Sequence, residues 1–348
     1  MALEITGTGR AVPSRRVKND ELAKKIDTSD EWIRSHTGIG ARHIAGDEIA
    51  ASDLALEAAK KALAQAAGLE ETSGEDAEKA LAEAALSLDL IILATATPDF
   101  NGTPSTACIV QDRLGAKQAG AMDITAGCTG FIYGLETAAG LLSVDSGRKR
   151  ALVIGSEILT KFTDWTDRRS CVLFGDGAGA VILEKTDAPR EGAGRRGLIR
   201  TLLRADGSGA KHLYFSRGGS REPYKAGETL DKPTHIVMNG QAVYNFAVRA
   251  ITETIKDILS QEDISMNDVD IIIPHQANAR IVQAAAKRLK VPDEKIFLNI
   301  EEYANTSAAS IPIALDELSR GGKLRRGDLV LTVGFGGGLT YGANLLIW

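Results

Sequence analysis

The stretch GAMDITAGCTGFIYGLETAAGLLSVDSGRKRALVIGS, residues 120–156, decides the fold class. A strand-like run at 120–125 is followed by apolar residues at helical spacing over 131–144, and a second strand-like run covers 150–156. A strand, a helix and a strand in this order form a βαβ unit, whose two strands lie parallel. The sequence therefore predicts an α/β protein with mainly parallel sheets.

The same order of elements returns in the second half of the chain. VDIIIP at 269–274 leads into a helical pattern at 277–290, and DLVLTVG at 328–334 leads through glycines into another apolar run. A chain of 348 residues exceeds the roughly 250 to 300 residues at which a single core stops growing. We therefore predict two similar halves, whose corresponding turns would be those at Cys128 and His275.

Two charged segments predict surface structure. The segment at 186–197, rich in Gly, Pro and charge, is the best candidate connection, which gives halves of 1–188 and 189–348. Residues 68–88 contain an acidic turn and an Ala/Glu-rich run, which predicts a solvated surface helix.

The overall charge and the apolar runs exclude several function classes. The formal net charge is -5, whereas a general nucleic-acid binder carries a basic balance. The longest apolar runs, such as LIILATA at 90–96, are far shorter than the roughly 20 residues that cross a bilayer. MALEITGTGR at the N-terminus lacks a signal-peptide core. We expect no nucleic acid, no membrane span and no export.

Cysteine and histidine spacing predicts neither a disulfide framework nor a metal site. The three cysteines include no C-x-x-C pair, and a reducing cytoplasm suits them. The histidines other than His275 have no partner at metal-ligand spacing. GTGRAV at 7–12 and GDGAGA at 175–180 lack complete dinucleotide- or phosphate-binding patterns. We expect no metal and no cofactor.

Cys128 is the strongest candidate for a reactive residue. It lies at a strand-to-helix turn between small neighbours, which let another molecule approach closely. A position at a helix N-terminus favours the thiolate, the reactive form of cysteine. Residue type alone favours a buried, inert cysteine, and we keep that interpretation for Cys108 and Cys171, which have no glycine-framed turn.

His275 and Asn305 are weaker candidates on the residues alone. His275 follows the apolar run DIIIP, at the carboxyl end of a strand, where open α/β sheets build their sites. Asn305 begins NTSAASIPIALDEL, and by itself this cluster is typical of an ordinary helix cap.

Several motifs together resemble a known family over nearly the whole chain. They are SDEWIRSHTGI at 29–39, AGCTGF at 126–131, FGDGAGAVIL at 174–183, PHQAN at 274–278, NTSAAS at 305–310 and GFGGGLTYG at 334–342. This set resembles the beta-ketoacyl-acyl-carrier-protein synthase III family. The resemblance implies a thiolase-like fold, with two βαβ-rich halves packed as a five-layered α-β-α-β-α core.

The resemblance also implies an activity and roles for named residues. Cys128 would take an acyl group from acyl-CoA, and His275 and Asn305 would stabilise the enolate formed when malonyl-acyl carrier protein loses CO2. The N–H groups of Cys128 and Gly337 would form a second oxyanion hole. No cofactor beyond the CoA thioester substrate is implied. The residues implied to bind CoA and substrate are Trp32, Thr37, Arg168, Gly240, Asn278 and Phe335.

Further implied features concern partners. The resemblance implies a homodimer in which the NGTP loop reaches the partner's acyl pocket, and Thr103 stands where many relatives have Phe. Because Thr is smaller than Phe, we expect a deeper acyl pocket that admits longer or branched primers. The acidic carrier protein would dock on the basic residues Arg249, Arg280, Lys287 and Arg288. Lys287 and Arg288, with Lys290, also suit a helix C-terminus. His36 and Asn245 replace the Arg and Lys of many relatives, so contacts there would differ.

Three other functions compete with this interpretation. The first is a related condensing or acyl-transfer enzyme of secondary metabolism. The second is a papain-like hydrolase, because Cys128, His275 and Asn305 follow the same chain order, although the C-G-[SA]-C-[WY] pattern is missing. The third is a non-catalytic carrier-protein-binding module, which would be expected to lack at least one of these residues.

Overall fold

The computed structural model describes residues 2–69, 74–186, 196–227 and 234–348. Its first-half elements are β1 (Ala2–Ala11), β2 (Arg16–Lys18), α1 (Asn19–Ala23), α2 (Asp30–Thr37), β3 (Ala41–His43), α3 (Ala51–Ala66), α4 (Glu75–Leu86), β4 (Leu90–Ala94), α5 (Thr106–Leu114), β5 (Gly120–Ile124), α6 (Gly130–Val144), β6 (Arg150–Ile158) and β7 (Asp176–Thr186). Its second-half elements are β8 (Gly197–Ala205), β9 (Leu213–Phe215), β10 (Ile236–Met238), α7 (Gly240–Gln261), β11 (Ile271–Pro274), α8 (Ala279–Leu289), α9 (Ile300–Tyr303), α10 (Ser310–Arg320), β12 (Leu329–Gly336) and β13 (Thr340–Ile347).

Two large sheets organise the molecule. The first has the order β1-β7-β6-β4-β5 and the second the order β11-β12-β13-β8. Parallel pairing joins β6 to β4, β4 to β5 and β11 to β12, while the other pairs in both sheets are antiparallel. The sheets are therefore mixed, and the expectation of mainly parallel sheets is wrong. The antiparallel strands arise because β7 and β13 follow their neighbours without a crossover helix.

Five layers are stacked around these sheets. Helices α3 and α5 cover the outer face of the first sheet, α6 and α10 lie between the sheets, and α7 covers the outer face of the second with α8 packed on it. A middle-layer helix contacts a sheet on both sides, which explains why α6 buries Phe131, Ile132 and Leu135 together. The predicted α/β, thiolase-like, five-layered fold is confirmed.

The correspondence between turns differs from the prediction. Cys128 lies in a 3-10 turn at Gly127–Thr129 that enters α6, and a second 3-10 turn at Ser307–Ala309 enters α10. Both helices belong to the middle layer, and the two turns touch. His275 instead precedes α8, and α8 belongs to the outer layer beyond the second sheet. The turn that matches Cys128 in position is thus the one beside Asn305.

The predicted surface helix and connection have different outcomes. Helix α4 forms from Glu75 to Leu86 and buries only Leu81 and Ala85, as the Ala/Glu-rich run predicts. Residues 70–73 of that stretch lie outside the described residues, and so do 187–195, which contain the predicted division between halves. The division at 188/189 stays a prediction. No helix in the described ranges is long and apolar enough to cross a membrane.

Candidate active site

One cavity of about 520 Å³ contains the candidate residues. Its inner wall holds Cys128, His275 and Asn305, and partly exposed Trp32 and exposed Arg280 line its outer part. Apolar side chains and the GFGGG backbone form much of the remaining wall, together with polar side chains such as Thr37, Asn278 and Ser307. The three candidates come from three distant segments, so the packing of the two halves creates the site.

Bare backbone holds Cys128 in place. A Cβ built on Gly336 would come within 2.4 Å of the Cys128 nitrogen, and one on Gly127 within 2.8 Å of the Gly337 nitrogen. Gly127 also has a φ of +52°, which favours glycine. The Thr340 hydroxyl donates to the carbonyl of Ala126 at 2.7 Å, which ties the turn to β13. Glycines at these positions bring the two halves into backbone contact at the sulfur.

The environment of the Cys128 sulfur differs from the expectation of a depressed pKa. Burial raises the pKa of the Cys128 thiol to about 12. Contacts with the Ser307 hydroxyl and with the backbone N–H groups of Cys128 and Gly337 oppose that rise, while the charge of Glu157 adds to it. Burial disfavours the thiolate more than these donors favour it. The resting sulfur is therefore a thiol that must lose a proton to react.

His275 is held as a neutral hydrogen-bond donor. Its Nδ1 lies 2.7 Å from the Ser310 hydroxyl oxygen, which also accepts from the Gln276 backbone N–H at 3.4 Å. The Ser310 proton is then available for Nδ1, which assigns the imidazole proton to Nε2. Burial lowers the pKa of His275 to about 3, so the ring is neutral at neutral pH. Nε2 is buried and has no partner within the described residues.

Asn305 is fixed by unusual backbone on both sides. Ala304 and Ser307 have φ values of 56° and 48°, a region that non-glycine residues rarely adopt. The backbone of Asn305 pairs with the segment at 173–175, and its Oδ1 accepts from the Ser307 N–H at 2.9 Å. Because Oδ1 is used, Nδ2 is the group left to donate into the cavity. Strained backbone of this kind is typical of functional sites.

Five of the six residues predicted to bind CoA and substrate line the cavity. They are Trp32, Thr37, Gly240, Asn278 and Phe335. The ring of Phe335 meets that of His275 edge-on, with centroids 5.4 Å apart. Asn278 has a second role, because its side chain caps α8 through the Arg280 N–H at 2.9 Å and donates to the His36 carbonyl at 3.1 Å.

Arg168 lies beside the cavity and directly on Trp32. Its guanidinium carbon is 5.8 Å from the Trp32 ring centroid, within direct cation–π contact. It also pairs with Asp27 at 2.9 Å. The His36 ring stacks on Trp32, with centroids 4.4 Å apart. A planar group that enters between Trp32 and Arg168 would therefore require the Arg168 side chain to move.

The predicted partner-binding residues are exposed. Arg280 lies at the first turn of α8 and lines the cavity, whereas Lys287 and Arg288 lie on the same helix at its last turn. Arg249 is exposed on α7, and Thr103 is exposed and outside the cavity of its own chain. Within the described residues, no group of three His, Cys, Asp or Glu side chains could hold a metal ion.

Three site residues were not predicted from the sequence. Ser310 and Ser307 lie within the NTSAAS motif, where hydroxyl positions cannot be assigned from spacing alone. Glu157 is fully buried near the end of β6. A charged residue in an apolar strand that ends at the carboxyl edge of a sheet was the available signal.

Comparisons with known proteins agree with this geometry. Fold and site define a thiolase-like condensing enzyme. Residues 122–207 match the family model described as 3-oxoacyl-[acyl-carrier-protein (ACP)] synthase III. Residues 259–348 match the model described as the C terminal of 3-oxoacyl-[acyl-carrier-protein (ACP)] synthase III. Beta-ketoacyl-[acyl-carrier-protein] synthase III of Caldanaerobacter subterraneus is 46% identical over 100% of this chain and 98% of its own, and that of Geobacillus kaustophilus is 48% identical over 100% and 99%.

A solved structure gives the same result. The crystal structure of 3-oxoacyl-[acyl-carrier-protein] synthase III from Aquifex aeolicus superposes with a TM-score of 0.86 at 41% identity, covering 100% of both chains. The chain belongs to the beta-ketoacyl-[acyl-carrier-protein] synthase III family, a family of acyltransferase-class condensing enzymes. The papain-like interpretation is wrong, because the fold is different.

Proposed function

We propose that this chain starts fatty acid synthesis by condensing an acyl-CoA primer with malonyl-acyl carrier protein. The products would be 3-oxoacyl-acyl carrier protein, CO2 and CoA. The observation that carries this proposal is that Cys128 shares one cavity with two neutral hydrogen-bond donors, His275 Nε2 and Asn305 Nδ2. A buried unpartnered N–H costs free energy, so its retention supports a role with substrate.

The first half-reaction transfers the primer to Cys128. The sulfur attacks the thioester carbonyl, a tetrahedral oxyanion forms, and the CoA thiolate leaves. The N–H groups of Cys128 and Gly337, which already contact the resting sulfur, are suited to stabilise that oxyanion. Trp32 and Arg168 would hold the adenine of CoA, with the Arg168–Asp27 pair opening as it enters.

The second half-reaction forms the carbon–carbon bond. His275 Nε2–H and Asn305 Nδ2–H would donate to the malonyl thioester oxygen, where negative charge develops as CO2 leaves. The enolate carbon then attacks the acyl-Cys128 carbonyl, and the tetrahedral intermediate expels the Cys128 thiolate. Because the pKa of His275 is about 3, the ring acts as a neutral donor and not as an imidazolium. The CoA thioester is substrate, and the scheme requires no cofactor.

Carrier-protein docking is proposed on the exposed face of α8. Arg280 lies beside the cavity, and Lys287 and Arg288 extend the positive charge along the helix, with Arg249 on α7. An acidic carrier protein would be attracted to this face even though the chain is net negative. Asn245 is neutral and adds no charge to this face; its amide oxygen accepts from Gln241 at 3.1 Å.

We further propose a cytoplasmic homodimer. Strand β5 ends the first sheet, and its residues are partly or fully exposed. A free strand edge can pair with another chain. Thr103 on the neighbouring exposed loop would then reach the partner's acyl pocket, in line with the predicted deeper pocket. Three unpaired cysteines suit a reducing compartment.

The test is a product assay with matched cysteine variants. Purified protein is given malonyl-acyl carrier protein with acetyl-CoA or isobutyryl-CoA, and 3-oxoacyl product and CO2 are measured. Cys128→Ala is expected to abolish product, while Cys108→Ala, which alters an exposed cysteine outside the cavity, is expected to retain it. Primer turnover without condensation would reject the proposal and favour simple acyl transfer.

A further inference from the structure

A buried carboxyl group lies behind the wall of the cavity. Glu157 is 0% exposed. Its carboxylate accepts from the Thr97 hydroxyl at 2.6 Å, from the Thr95 hydroxyl at 3.3 Å and from the Ala96 N–H at 3.1 Å. These donors all come from the loop after β4, and no basic side chain pairs with Glu157 in the described part of the chain. A carboxyl group without a counter-ion can hold a proton at neutral pH.

Ser307 lies near both this carboxyl group and the reactive sulfur. The residue is 3% exposed and lines the cavity, and its hydroxyl lowers the pKa of both the Cys128 thiol and the Glu157 carboxyl group, against the effect of burial. Its left-handed φ of 48° and the bond from its N–H to Asn305 fix its direction. The turn packs tightly on β6, since a Cβ on Gly155 would meet the Ala308 carbonyl at 2.2 Å. The position of Ser307 is thus built into the packing of the two halves.

The acylation step needs such a group. The resting thiol must lose its proton as it attacks, and His275 is poorly suited to accept it. Its Nδ1 is engaged by Ser310, its Nε2 carries the proton, and burial keeps the pKa of the ring near 3. Burial raises the pKa of Glu157 to about 7, against contacts with Thr97, Ser307 and backbone N–H groups. Of these two groups, Glu157 is matched to proton exchange at neutral pH.

We propose that Ser307 accepts the proton of the Cys128 thiol as the sulfur attacks the primer thioester, and passes its own hydroxyl proton to Glu157. The new bond joins the sulfur to the carbonyl carbon, and the bond to the CoA sulfur breaks. Glu157 then returns its proton through Ser307 to the departing CoA thiolate, so no net proton is gained or lost. Ser307 is a catalytic residue here, and Glu157 acts through it as a positioning residue. This inference rests on the proposed function of Cys128.

Few titratable groups around Glu157 could add their own inflection to the pH profile of Cys128 acylation. Cys128, from the turn before α6, is the titratable side chain that faces Glu157 through Ser307. The turn before α10 offers hydroxyl and backbone N–H groups. The segment after β4 does the same, and its one carboxylate, Asp99, accepts from the Ser52 N–H at 2.9 Å. On the adjacent strand, Asp176 bonds instead to the Thr160 hydroxyl and the Ala45 N–H.

Two physical roles for Glu157 predict opposite effects of its removal. If its charge only opposes the thiolate, Glu157→Gln should accelerate reactions of Cys128. If Glu157 takes the proton, the same variant should slow acylation about 100-fold at pH 7 and remove an inflection near that pH. Ser307→Ala should slow the reaction similarly, and the double variant should lose little more, because the two residues act in one chain. Glu157→Asp should restore part of the inflection.

The experiment measures acylation of Cys128 by acetyl-CoA in a rapid quench, using intact-protein mass from about pH 5.5 to 9. Thermal unfolding checks the fold of each variant. The proposal is overturned if Cys128 in Glu157→Gln is acylated as fast as in wild type or faster. It is also overturned if acylation is slower but the pH profile keeps its inflection near pH 7. If Glu157→Gln does not fold, an unchanged rate in Ser307→Ala overturns it instead.

Alkylation by iodoacetamide separates this inference from the function on which it rests. Wild-type protein that no acyl-CoA acylates would defeat the proposed function. Slower alkylation of Cys128 in Glu157→Gln would then still support proton transfer, and faster alkylation would refute it. Cys128→Ala gives the background level of acylation and of alkylation at residues other than Cys128.

Discussion

Gly336→Ala is expected to disable the active site with only modest loss of stability. A methyl group at Gly336 would lie 2.4 Å from the Cys128 nitrogen and 2.9 Å from its Cβ, whereas ordinary contact begins near 3.4 Å. The backbone of β12 and the Cys128 turn must therefore separate by about 1 Å, which moves the Gly337 N–H away from the developing oxyanion. We expect kcat to fall about 100- to 1,000-fold. Overpacking costs about 1–3 kcal/mol of unfolding free energy.

The assay is the rate of CO2 release from labelled malonyl-acyl carrier protein at saturating acetyl-CoA, with thermal unfolding followed in parallel. Gly140→Ala is the matched control, because Gly140 is an exposed position of α6 with no atom within 4 Å of an added Cβ. It should keep full activity and gain about 0.5–1 kcal/mol in stability. Folded Gly336→Ala protein with kcat within roughly threefold of wild type would refute the oxyanion role of this backbone.

Other expected outcomes concern primers, docking and pH. Thr103→Phe should reduce kcat/KM for isobutyryl-CoA more than for acetyl-CoA, and equal effects would exclude Thr103 from the pocket. Lys287→Glu should raise the KM for malonyl-acyl carrier protein and weaken its salt dependence, without changing Cys128 acylation. Because burial lowers the pKa of His275 from 6.5 to about 3, the unfolded chain binds the extra proton, so stability should fall as pH falls from 6.5. His275→Gln should flatten that slope in denaturant titrations; an unchanged slope would contradict this assignment.

Glu157 should affect stability with the opposite sign. Its pKa is raised from 4.5 to about 7, so the folded chain holds more protons between these values and loses stability as pH rises through them. Glu157→Gln should therefore be more stable than wild type above pH 7, but not below pH 4.5. Unfolding curves at the two pH values measure this, and no difference between them would count against the raised pKa.

The sequence predicts those parts of the site that depend on local pattern. Cys128 is identifiable because a glycine-framed strand-to-helix turn lies within a few residues of chain. His275 is partly identifiable because a polar residue at the end of an apolar strand is also a local pattern. The alternation of elements predicts the α/β class, and the five-layer order is what the family resemblance implies.

The remaining features depend on contacts between distant segments. Asn305 resembles a helix cap until its backbone pairs with 173–175, about 130 residues away. The high pKa of Cys128 results from burial between the halves, which helix-terminus reasoning does not include. Ser307 and Glu157 meet across two elements that share no sequence pattern.

The most direct test of the central claim is the mass of Cys128 after exposure to acyl-CoA. Wild-type protein mixed with acetyl-CoA or isobutyryl-CoA should gain one acyl group on the peptide that contains Cys128, and malonyl-acyl carrier protein should then remove it as 3-oxoacyl product. His275→Ala should still gain the acyl group but release it slowly, because the ring serves the second half-reaction. An unmodified Cys128 with every primer, or product formed without an acyl-Cys128 intermediate, would contradict the account.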